Sequence, residues 1–521
     1  MTGSDVDHRL DHIVVLMFEN RSFDNLLGYL YQPGEVRNFE GVAGRDLSNP
    51  IPADALESDQ RVVPVHPVPG RDSPDPDPGE EHPHTNTQLY GTVLPAENRG
   101  KRAAGIVAPF NAPSDPNQVP TMDGFVTDYV DVFQMEMGRA PSYHDYAQIM
   151  GCYTPEQTPV LSTLAREFAV FDHWFCEVPS QTYPNRSFFH AASSSGFVLN
   201  APAGEFPLHN SAETIFDRLE TAKLPWKVYY ERRQVFSATE LIHARRLTPF
   251  VPTHFFGLQD FFDDAKAGRL PAYSFIEPSL IPPHNDMHPP GVGRVRKILP
   301  FPLPSPIKSG EALLARIYDA VRTSASPKGS NFLNTLLLVT FDEHGGTYDH
   351  VPPPKVPPPD SSAPPGQMGF RFDRSGVRVP TLAISAWVDP KTVVNAEYRH
   401  TSVIQTLRRR WSLGDPLTGR DAAAADIAPV LSRTSPRRVE DWPTVLPRFT
   451  FPFLRALLAR GHRLPPLGRD LVSSALATES GRTGERPEID PERVTRGRAL
   501  RHLQGIRTRR VVEAGARPYR R

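Results

Sequence analysis

The sequence has little of what marks a disulfide-bonded, membrane-spanning or nucleic-acid-binding chain. Its 2 cysteines, Cys152 and Cys176, are too few for a disulfide framework, and we interpret them as small buried hydrophobic residues. The apolar run nearest the N-terminus, Ile13 to Phe18, is far too short to span a bilayer. The net charge of −1 creates no long-range field that would attract nucleic acid, so no nucleic-acid partner is expected.

The N-terminus also lacks a targeting signature. The first twelve residues, MTGSDVDHRLDH, are polar and acidic, without a basic region followed by an apolar one. We therefore expect a cytoplasmic protein, or a secreted one if a signal peptide lay upstream and was removed.

Proline, by contrast, is abundant, with 57 residues that cluster in short runs. Such runs are typical of stiff surface loops. They suggest loop insertions near residues 61–81, 291–308 and 352–365 within a catalytic domain that we place at 1–447. Residues 448–521 are expected to form a C-terminal helical and basic tail.

Three apolar runs predict buried strands, at Ile13–Phe18, Thr335–Phe341 and Thr381–Trp387. Helical patterns such as Gly310–Ser324 and Ala396–Trp411 lie between or after them. Strands that alternate with helices indicate an α/β fold with a largely parallel sheet. In such sheets ligands bind beyond the carboxyl ends of the strands.

Two of these strands are followed by a pair of polar residues that carry carboxylate or amide oxygens, called the acidic pairs below. Glu19 and Asn20 follow the first strand, while Asp342 and Glu343 follow the second and precede two glycines. Carboxylate and amide oxygens suit a hard divalent cation, and adjacent buried carboxylates need a counter-charge. The alternatives are a helix cap at the first pair and an ordinary solvent-facing pair at the second.

A hydroxyl and a histidine supply two further candidates. Thr182, within PSQTYPNRS, stands at a predicted helix start with Pro184 in the first turn, where a helix favours phosphate; an ordinary N-cap is the alternative. Asp286 and His288 follow a predicted strand at Tyr273–Pro278. A histidine there can protonate a leaving alkoxide near neutral pH, unless it is merely a solvated loop residue.

Taken together, these segments resemble a known family. Four motifs occur in the order VVLMFENRSFDNLLG, TYPNRSFF, YSFIEP with NDMHPP, and TFDEHGGTYDHVPPP. The set is similar to the bacterial phosphoesterase family that includes non-haemolytic phospholipases C and a respiratory-burst-inhibiting acid phosphatase. Plant non-specific phospholipases C are also similar. The resemblance runs from about Asp11 to Leu413.

The resemblance implies a three-layer α/β/α sandwich of the alkaline-phosphatase type and one divalent cation. Calcium, magnesium or manganese is expected, because oxygen ligands disfavour zinc. The residues implied to hold the cation are Glu19, Asn20, Asp342 and Glu343, with Thr182 as nucleophile and additional ligand.

The resemblance also implies residues that contact the substrate. Asn185 is expected to bind a phosphate oxygen, Asp286 and His288 to face the phosphate and the leaving group, and Glu80 and His350 to contact the substrate. The implied reaction is hydrolysis of a phospholipase C-type diester through a phospho-threonine. The alternatives are a phosphomonoesterase acting on soluble phosphates and a non-catalytic metal- or lipid-binding relative.

One motif departs from the family pattern. Many relatives have Asp-Pro-Gly-His where this chain has Asp77-Pro78-Gly79-Glu80, so Glu80 occupies the histidine position. Either His82 or His84 substitutes for the missing histidine, or the acid instead binds a second cation or a substrate ammonium group. An acid here would repel an anionic substrate, which leaves the substrate class open.

The C-terminus is strongly basic. From Arg493 to the end there are ten arginines and one acid, Glu513. Such a tail predicts peripheral contact with anionic lipid or polyphosphate, and a solvated terminus is the alternative.

Overall fold

A computed structural model describes residues 8–70, 73–281, 284–289, 306–447, 464, 466–485, 487 and 489–513 of the 521-residue chain. Most of the predicted insertion at 291–308 therefore lies outside the described residues. So do residues 448–463 and 514–521 of the predicted C-terminal tail.

Eight strands of the described residues form one sheet, and the apolar runs read from the sequence form its middle. In chain order the strands are β1 (His12–Phe18), β2 (Ala169–Phe171), β3 (Trp226–Tyr230), β4 (Phe255–Gly257), β5 (Tyr273–Glu277), β6 (Thr335–Phe341), β7 (Thr381–Ile384) and β8 (Thr392–Val394). Their order across the sheet is β8-β2-β7-β6-β1-β5-β3-β4. Continuous apolar sequence suits β1 and β6, because they are buried on both faces.

The sheet is largely parallel, as predicted. β1 pairs in parallel with β5 and β6, and β3 pairs in parallel with β5 and β4. The strand predicted at Thr381–Trp387 ends at Ile384 and runs antiparallel to both β6 and β2. Its carboxyl end therefore lies at the opposite edge of the sheet from those of β1 and β6.

Helices cover the sheet. Those of nine or more described residues are α1 (His82–Tyr90), α2 (Phe125–Met137), α3 (Pro159–Glu167), α4 (Thr182–Ala191), α5 (Leu258–Lys266), α6 (Pro306–Arg322), α7 (Thr401–Trp411), α8 (Pro466–Thr483) and α9 (Arg496–Glu513). Shorter helices span Phe23–Leu27, Tyr143–Ala147, Phe206–His209, Ile215–Thr221, Ala238–Ile242, Ala244–Leu247, Val251–His254 and Gly419–Ala422.

Two aromatic contacts show that helices lie on both faces of the sheet. Phe275 of β5 packs on Phe189 of α4, with ring centroids 5.7 Å apart, and Tyr229 of β3 packs on Phe261 of α5 at 5.4 Å. The β3 residue opposite Phe275 is Val228, so Tyr229 points to the other face. α4 and α5 therefore lie on opposite sides, which confirms the three-layer sandwich.

The C-terminal helices α8 and α9 pack against the rest of the chain. They bury Leu471 and Leu503 in an apolar cluster with Tyr183 of α4 and Leu241. None of the helices in the described part of the chain is long and apolar enough to cross a membrane.

Smaller pairings and the cysteines complete the fold. Within the predicted loop at 61–81, Val62–Pro64 pairs with Ser48–Pro50, and His66–Pro67 pairs with Gly151–Cys152. Cys152 and Cys176 are both buried and free, which confirms their interpretation as buried hydrophobic residues.

Candidate active site

The structure brings the two acidic pairs together at one edge of the sheet. Phe18 and Phe341 are opposite each other in the last register of β1 and β6, so the residues that follow them are neighbours. The backbone N–H of Asn20 donates to Asp342 Oδ1 at 3.1 Å. Glu19, Asn20, Asp342 and Glu343 are all fully buried.

Two glycines allow a third segment to approach this edge. Gly345 and Gly346 have φ values of 60° and 63°, which favour glycine. A Cβ on Gly345 would lie 2.3 Å from the carbonyl oxygen of Asn20, and one on Gly346 would lie 2.3 Å from that of Gly79. Because glycine has no Cβ, the segment that carries Glu80 can pack directly on the residues that follow β1 and β6.

Thr182 lies at the start of its helix but is not the residue that caps it. It is the first residue of α4, the N-cap is Gln181, and the threonine is fully buried. Its Oγ1 donates to Glu19 Oε2 at 3.2 Å. The hydroxyl thus faces the acidic residues from a helix N-terminus, where negative charge is favoured.

Arg186 is a site residue that the sequence reasoning missed. Its side chain is buried, and Nε donates to Glu19 Oε1 at 2.9 Å while Nη2 contacts the same oxygen. Nε also lies 3.5 Å from Asp342 Oδ2. Because Arg186 stands four residues after Thr182 on α4, helical spacing within the recognised motif was the available signal.

The clustered carboxylates strongly affect one another's protonation. Burial, followed by the charge of Asp342, raises the pKa of Glu343 well above its usual range. Burial also raises the pKa of Glu19, although Arg186 opposes this shift. Burial and the charge of Glu343 likewise raise the pKa of Glu80. A group of acids this crowded needs positive charge to stay ionised.

Three oxygens of this cluster fit a hard cation. Asn20 Oδ1, Asp342 Oδ2 and Glu343 Oε1 are buried and accept no hydrogen bond from the described residues. Unsatisfied buried oxygens are costly, and oxygen ligands are those that calcium, magnesium and manganese prefer. Both carboxylate oxygens of Glu19, by contrast, already have partners in Thr182 and Arg186.

The segment after β5 adds an acid and two histidines. Asp286 is fully buried, its Oδ2 lies 2.8 Å from His284 Nδ1, and its carbonyl accepts from the Glu19 N–H at 2.9 Å. Burial opposes the shift, but His284 and His288 lower the pKa of Asp286. His288 Nδ1 lies 2.8 Å from the carbonyl of Pro289. The structure thus connects the predicted Asp286 and His288 to the acidic edge, with His284 as an addition.

Glu80 joins the cluster, and its two neighbouring histidines do not. Its Oε2 accepts from Asn20 Nδ2, and its Oε1 accepts from Gln181 Nε2 at 3.4 Å. His82 Nδ1 instead lies 2.9 Å from the Pro179 carbonyl, and His84 Nδ1 lies 2.7 Å from Asp128. Of the substitutes considered from the sequence, only Glu80 reaches the site through its side chain.

Asn185, predicted as a phosphate ligand, forms hydrogen bonds to the backbone of the loop before Thr182. Its Oδ1 accepts from the N–H groups of Glu177 and Val178, both at 2.9 Å. Its Nδ2 donates to the carbonyls of Val178, Ser180 and Gln181. The carboxamide therefore fixes the loop before Thr182, and its hydrogen-bonding groups are taken by backbone.

His350, predicted as a substrate contact, has two acidic partners in this structure. Its Nδ1 lies 2.5 Å from Asp24 Oδ2, and its Nε2 lies 3.1 Å from Glu40 Oε1. Burial lowers the pKa of this histidine, but the charge of Asp24 outweighs that effect and raises it. Both ring nitrogens are thus used in a separate ion-pair network with Arg378. A substrate contact of His350 therefore stays a prediction.

Comparison with known proteins places this site within a described group. A family model described as the Phosphoesterase family matches residues 10–414, which include every site residue named above. Non-specific phospholipase C6 of Arabidopsis thaliana is 32% identical over 458 residues, covering 84% of this chain and 74% of the plant protein. Phospholipase C B of Mycobacterium tuberculosis is 26% identical over 461 residues, covering 82% of this chain and 78% of its own.

Among solved structures, a protein of the alkaline phosphatase superfamily from Vibrio parahaemolyticus aligns with a TM-score of 0.29 and 15% identity. The alignment covers 55% of this chain and 65% of that chain. The description of the fold accordingly depends on the sheet topology given above.

Proposed function

This chain belongs to the Phosphoesterase family, and on that premise we propose that it hydrolyses phosphoric diesters in the manner of a phospholipase C. The plant and mycobacterial relatives both bear the name phospholipase C, which favours a diester over a monoester substrate. The contact of the Thr182 hydroxyl with Glu19 at the start of α4 carries the proposal.

In the first step, Thr182 acts as the nucleophile. Its Oγ1 donates to Glu19 Oε2, so this carboxylate takes the hydroxyl proton as Oγ1 attacks phosphorus. The Oγ1–P bond forms, the bond from phosphorus to the leaving alcohol breaks, and the phosphorylated head group stays on Thr182. The N-terminus of α4 stabilises the negative charge on the phosphoryl oxygens.

His288 protonates the leaving alcohol and later takes a proton from the attacking water. Its Nδ1 bonds to the Pro289 carbonyl, so Nδ1 carries a hydrogen and Nε2 exchanges the proton. Nε2 protonates the departing alcohol, which for a phospholipid is diacylglycerol. Water then attacks phosphorus and gives a proton to Nε2, while Glu19 returns its proton to Thr182.

The oxygens of Asn20, Asp342 and Glu343 that accept no hydrogen bond from the described residues would hold one divalent cation, with Glu19 and Thr182 beside them. When bound, such a cation supplies positive charge that lowers the pKa of the Thr182 hydroxyl and stabilises the phosphoryl oxygens. Calcium, magnesium and manganese fit this set of oxygen donors better than zinc does.

A phospholipid substrate also suits the outer surface of α9. Arg498, Arg501 and Arg509 are exposed along this helix, while Leu503 and Ile506 are buried against the rest of the chain. A row of guanidinium groups attracts anionic head groups at a membrane surface. We infer that this face of α9 contacts the lipid surface peripherally.

The experiment that tests the function compares two chromogenic substrates in the presence of Ca²⁺, Mg²⁺ or Mn²⁺. We expect cleavage of p-nitrophenyl phosphorylcholine, and a rate lowered about 10⁴-fold or more by Thr182→Ala. Thr401→Ala is the matched control, because Thr401 is likewise the buried first residue of a helix, α7. Wild-type activity in Thr182→Ala would refute the assignment of Thr182 as the nucleophile. Cleavage of p-nitrophenyl phosphate alone would instead support a phosphomonoesterase.

A further inference from the structure

Glu80 stands between the proposed cation ligands and the nucleophile. Its side chain is almost entirely buried, although it comes from the loop before α1 and not from the ends of β1 or β6. One of its oxygens accepts from Asn20 and the other from Gln181. When Glu80 is ionised, its carboxylate only accepts hydrogen bonds, and both partners present N–H groups to it.

The contact with Asn20 decides how that carboxamide is oriented. A carboxamide can turn by half a rotation and exchange its oxygen and nitrogen at small cost in shape. Here Nδ2 faces Glu80, and Oδ1 has no hydrogen-bond partner among the described residues. In the reversed orientation Oδ1 would face the carboxylate, oxygen against oxygen. Glu80 therefore selects the orientation that leaves Oδ1 available to a cation.

The contact with Gln181 extends this effect to the nucleophile. Gln181 precedes Thr182, and its Oε1 accepts from the Asn200 N–H at 3.1 Å while its Nε2 donates to Glu80. Both polar ends of the Gln181 side chain are thus fixed. Glu80 links the end of β1 to the loop from which α4 begins.

We propose that Glu80 is a positioning residue: it holds the Asn20 carboxamide with its oxygen toward the cation and ties the ligand to the loop before Thr182. This role is rooted in the proposed function, because it requires a cation at Asn20, Asp342 and Glu343. Glu80 acts in this scheme as a hydrogen-bond acceptor. Cation binding by Asp77, Glu80 and His288, whose candidate ligand atoms lie within 4.8 Å of one another, is the competing outcome of the test.

The test measures cation affinity, which needs no turnover. Mn²⁺ and Ca²⁺ are titrated by calorimetry into the metal-free wild type, Glu80→Ala, Glu80→Gln and the control Glu81→Ala. We expect one ion per wild-type chain and an affinity about 10- to 100-fold weaker in Glu80→Ala. Glu80→Gln should lose less affinity than Glu80→Ala, because its carbonyl oxygen can still accept from Asn20 while its amide nitrogen faces the Gln181 donor. Thermal melts of each variant confirm folding.

A double-mutant cycle separates positioning from a general structural role. If Glu80 acts through Asn20, then Glu80→Ala weakens Mn²⁺ binding no further in an Asn20→Ala background. An additive loss would overturn the proposal.

Four other results would also overturn the proposal. If the wild type binds two ions per chain and Glu80→Gln binds one, Glu80 is a cation ligand. The same conclusion follows if Glu80→Gln and Glu80→Ala lose equal cation affinity. Unchanged cation affinity in Glu80→Ala, or no cation binding by the wild type, would show that Glu80 does not position a cation ligand. Expected cation binding without ester cleavage would refute the proposed function and leave the positioning intact.

Discussion

The guanidinium of Arg378 ties the segment after β6 to the helix at Phe23–Leu27, and its removal is expected to be strongly destabilising. The side chain is fully buried. Nε donates to Asp349 and Nη2 donates to Asp24, both at 2.9 Å. Nη1 donates to the carbonyls of Glu40 at 2.9 Å and Asp172 at 2.7 Å.

The expected loss follows from what Arg378→Met leaves behind. Methionine keeps apolar contact with the Phe23 ring, over which the guanidinium lies at 4.6 Å. It leaves Asp349 without its buried cation and Asp24 with His350 as its remaining ion-pair partner. Breaking a buried ion pair from one side costs about 3–5 kcal/mol. We therefore expect the free energy of unfolding to fall by about 4 kcal/mol, a large part of the ~5–15 kcal/mol typical of a folded protein.

Urea denaturation followed by circular dichroism measures this loss. Arg438→Met is the matched control, because Arg438 forms an exposed ion pair with Asp441 at 3.0 Å. A pair of that kind contributes little to stability, because solvent screens both exposed side chains. A loss below about 1 kcal/mol for Arg378→Met, or one equal to the control, would show that this network contributes little to stability.

Three further predictions address function, pH and membrane contact. His350→Gln should lower the melting temperature while kcat and KM stay within about threefold of wild type, because both ring nitrogens bond away from Thr182; loss of kcat at unchanged stability would restore His350 as a substrate contact. Burial lowers the pKa of His190 well below 6.5, so its contribution to stability is complete above pH 6.5 and lost as pH falls. Between pH 6 and 5 the wild type should therefore lose on the order of 1 kcal/mol that His190→Leu keeps, and equal losses in urea titrations would contradict this. Replacing Arg498, Arg501 and Arg509 with glutamate should abolish sedimentation with phosphatidylserine vesicles and leave cleavage of p-nitrophenyl phosphorylcholine unchanged; retained sedimentation would exclude this face of α9.

The middle of the sheet and its functional edge could be predicted from the sequence. β1 and β6 are continuous apolar runs that end abruptly in acids, and parallel neighbours bring such ends together. Thr182 was recognisable because proline in the first turn marks a helix start.

The direction of β7 could not be predicted in this way. A short apolar run has the same pattern whichever way the strand runs, and direction depends on the path of the connecting chain. The predicted strand at Thr381–Trp387 was therefore correct, but it was too long by three residues. The sequence pattern did not indicate that β7 runs antiparallel to β6.

Site roles were the least predictable, because they depend on side-chain contacts across the fold. Asn185 lies in the recognised motif, but its carboxamide is used by the loop backbone. Arg186, next to it, contacts Glu19 and received no role from the sequence. Neighbouring helical residues point in different directions, so a motif alone does not say which of them faces the site.

Gly346 has no side chain with which to bind anything, yet it sets the distance between the Glu80 segment and β6. With a Cβ only 2.3 Å from the Gly79 carbonyl, even alanine would displace that segment. A saturation-mutagenesis screen scored by activity alone would group position 346 with the proposed cation ligands. Loss of activity at this position would report the spacing between two backbone segments and not a chemical role of residue 346.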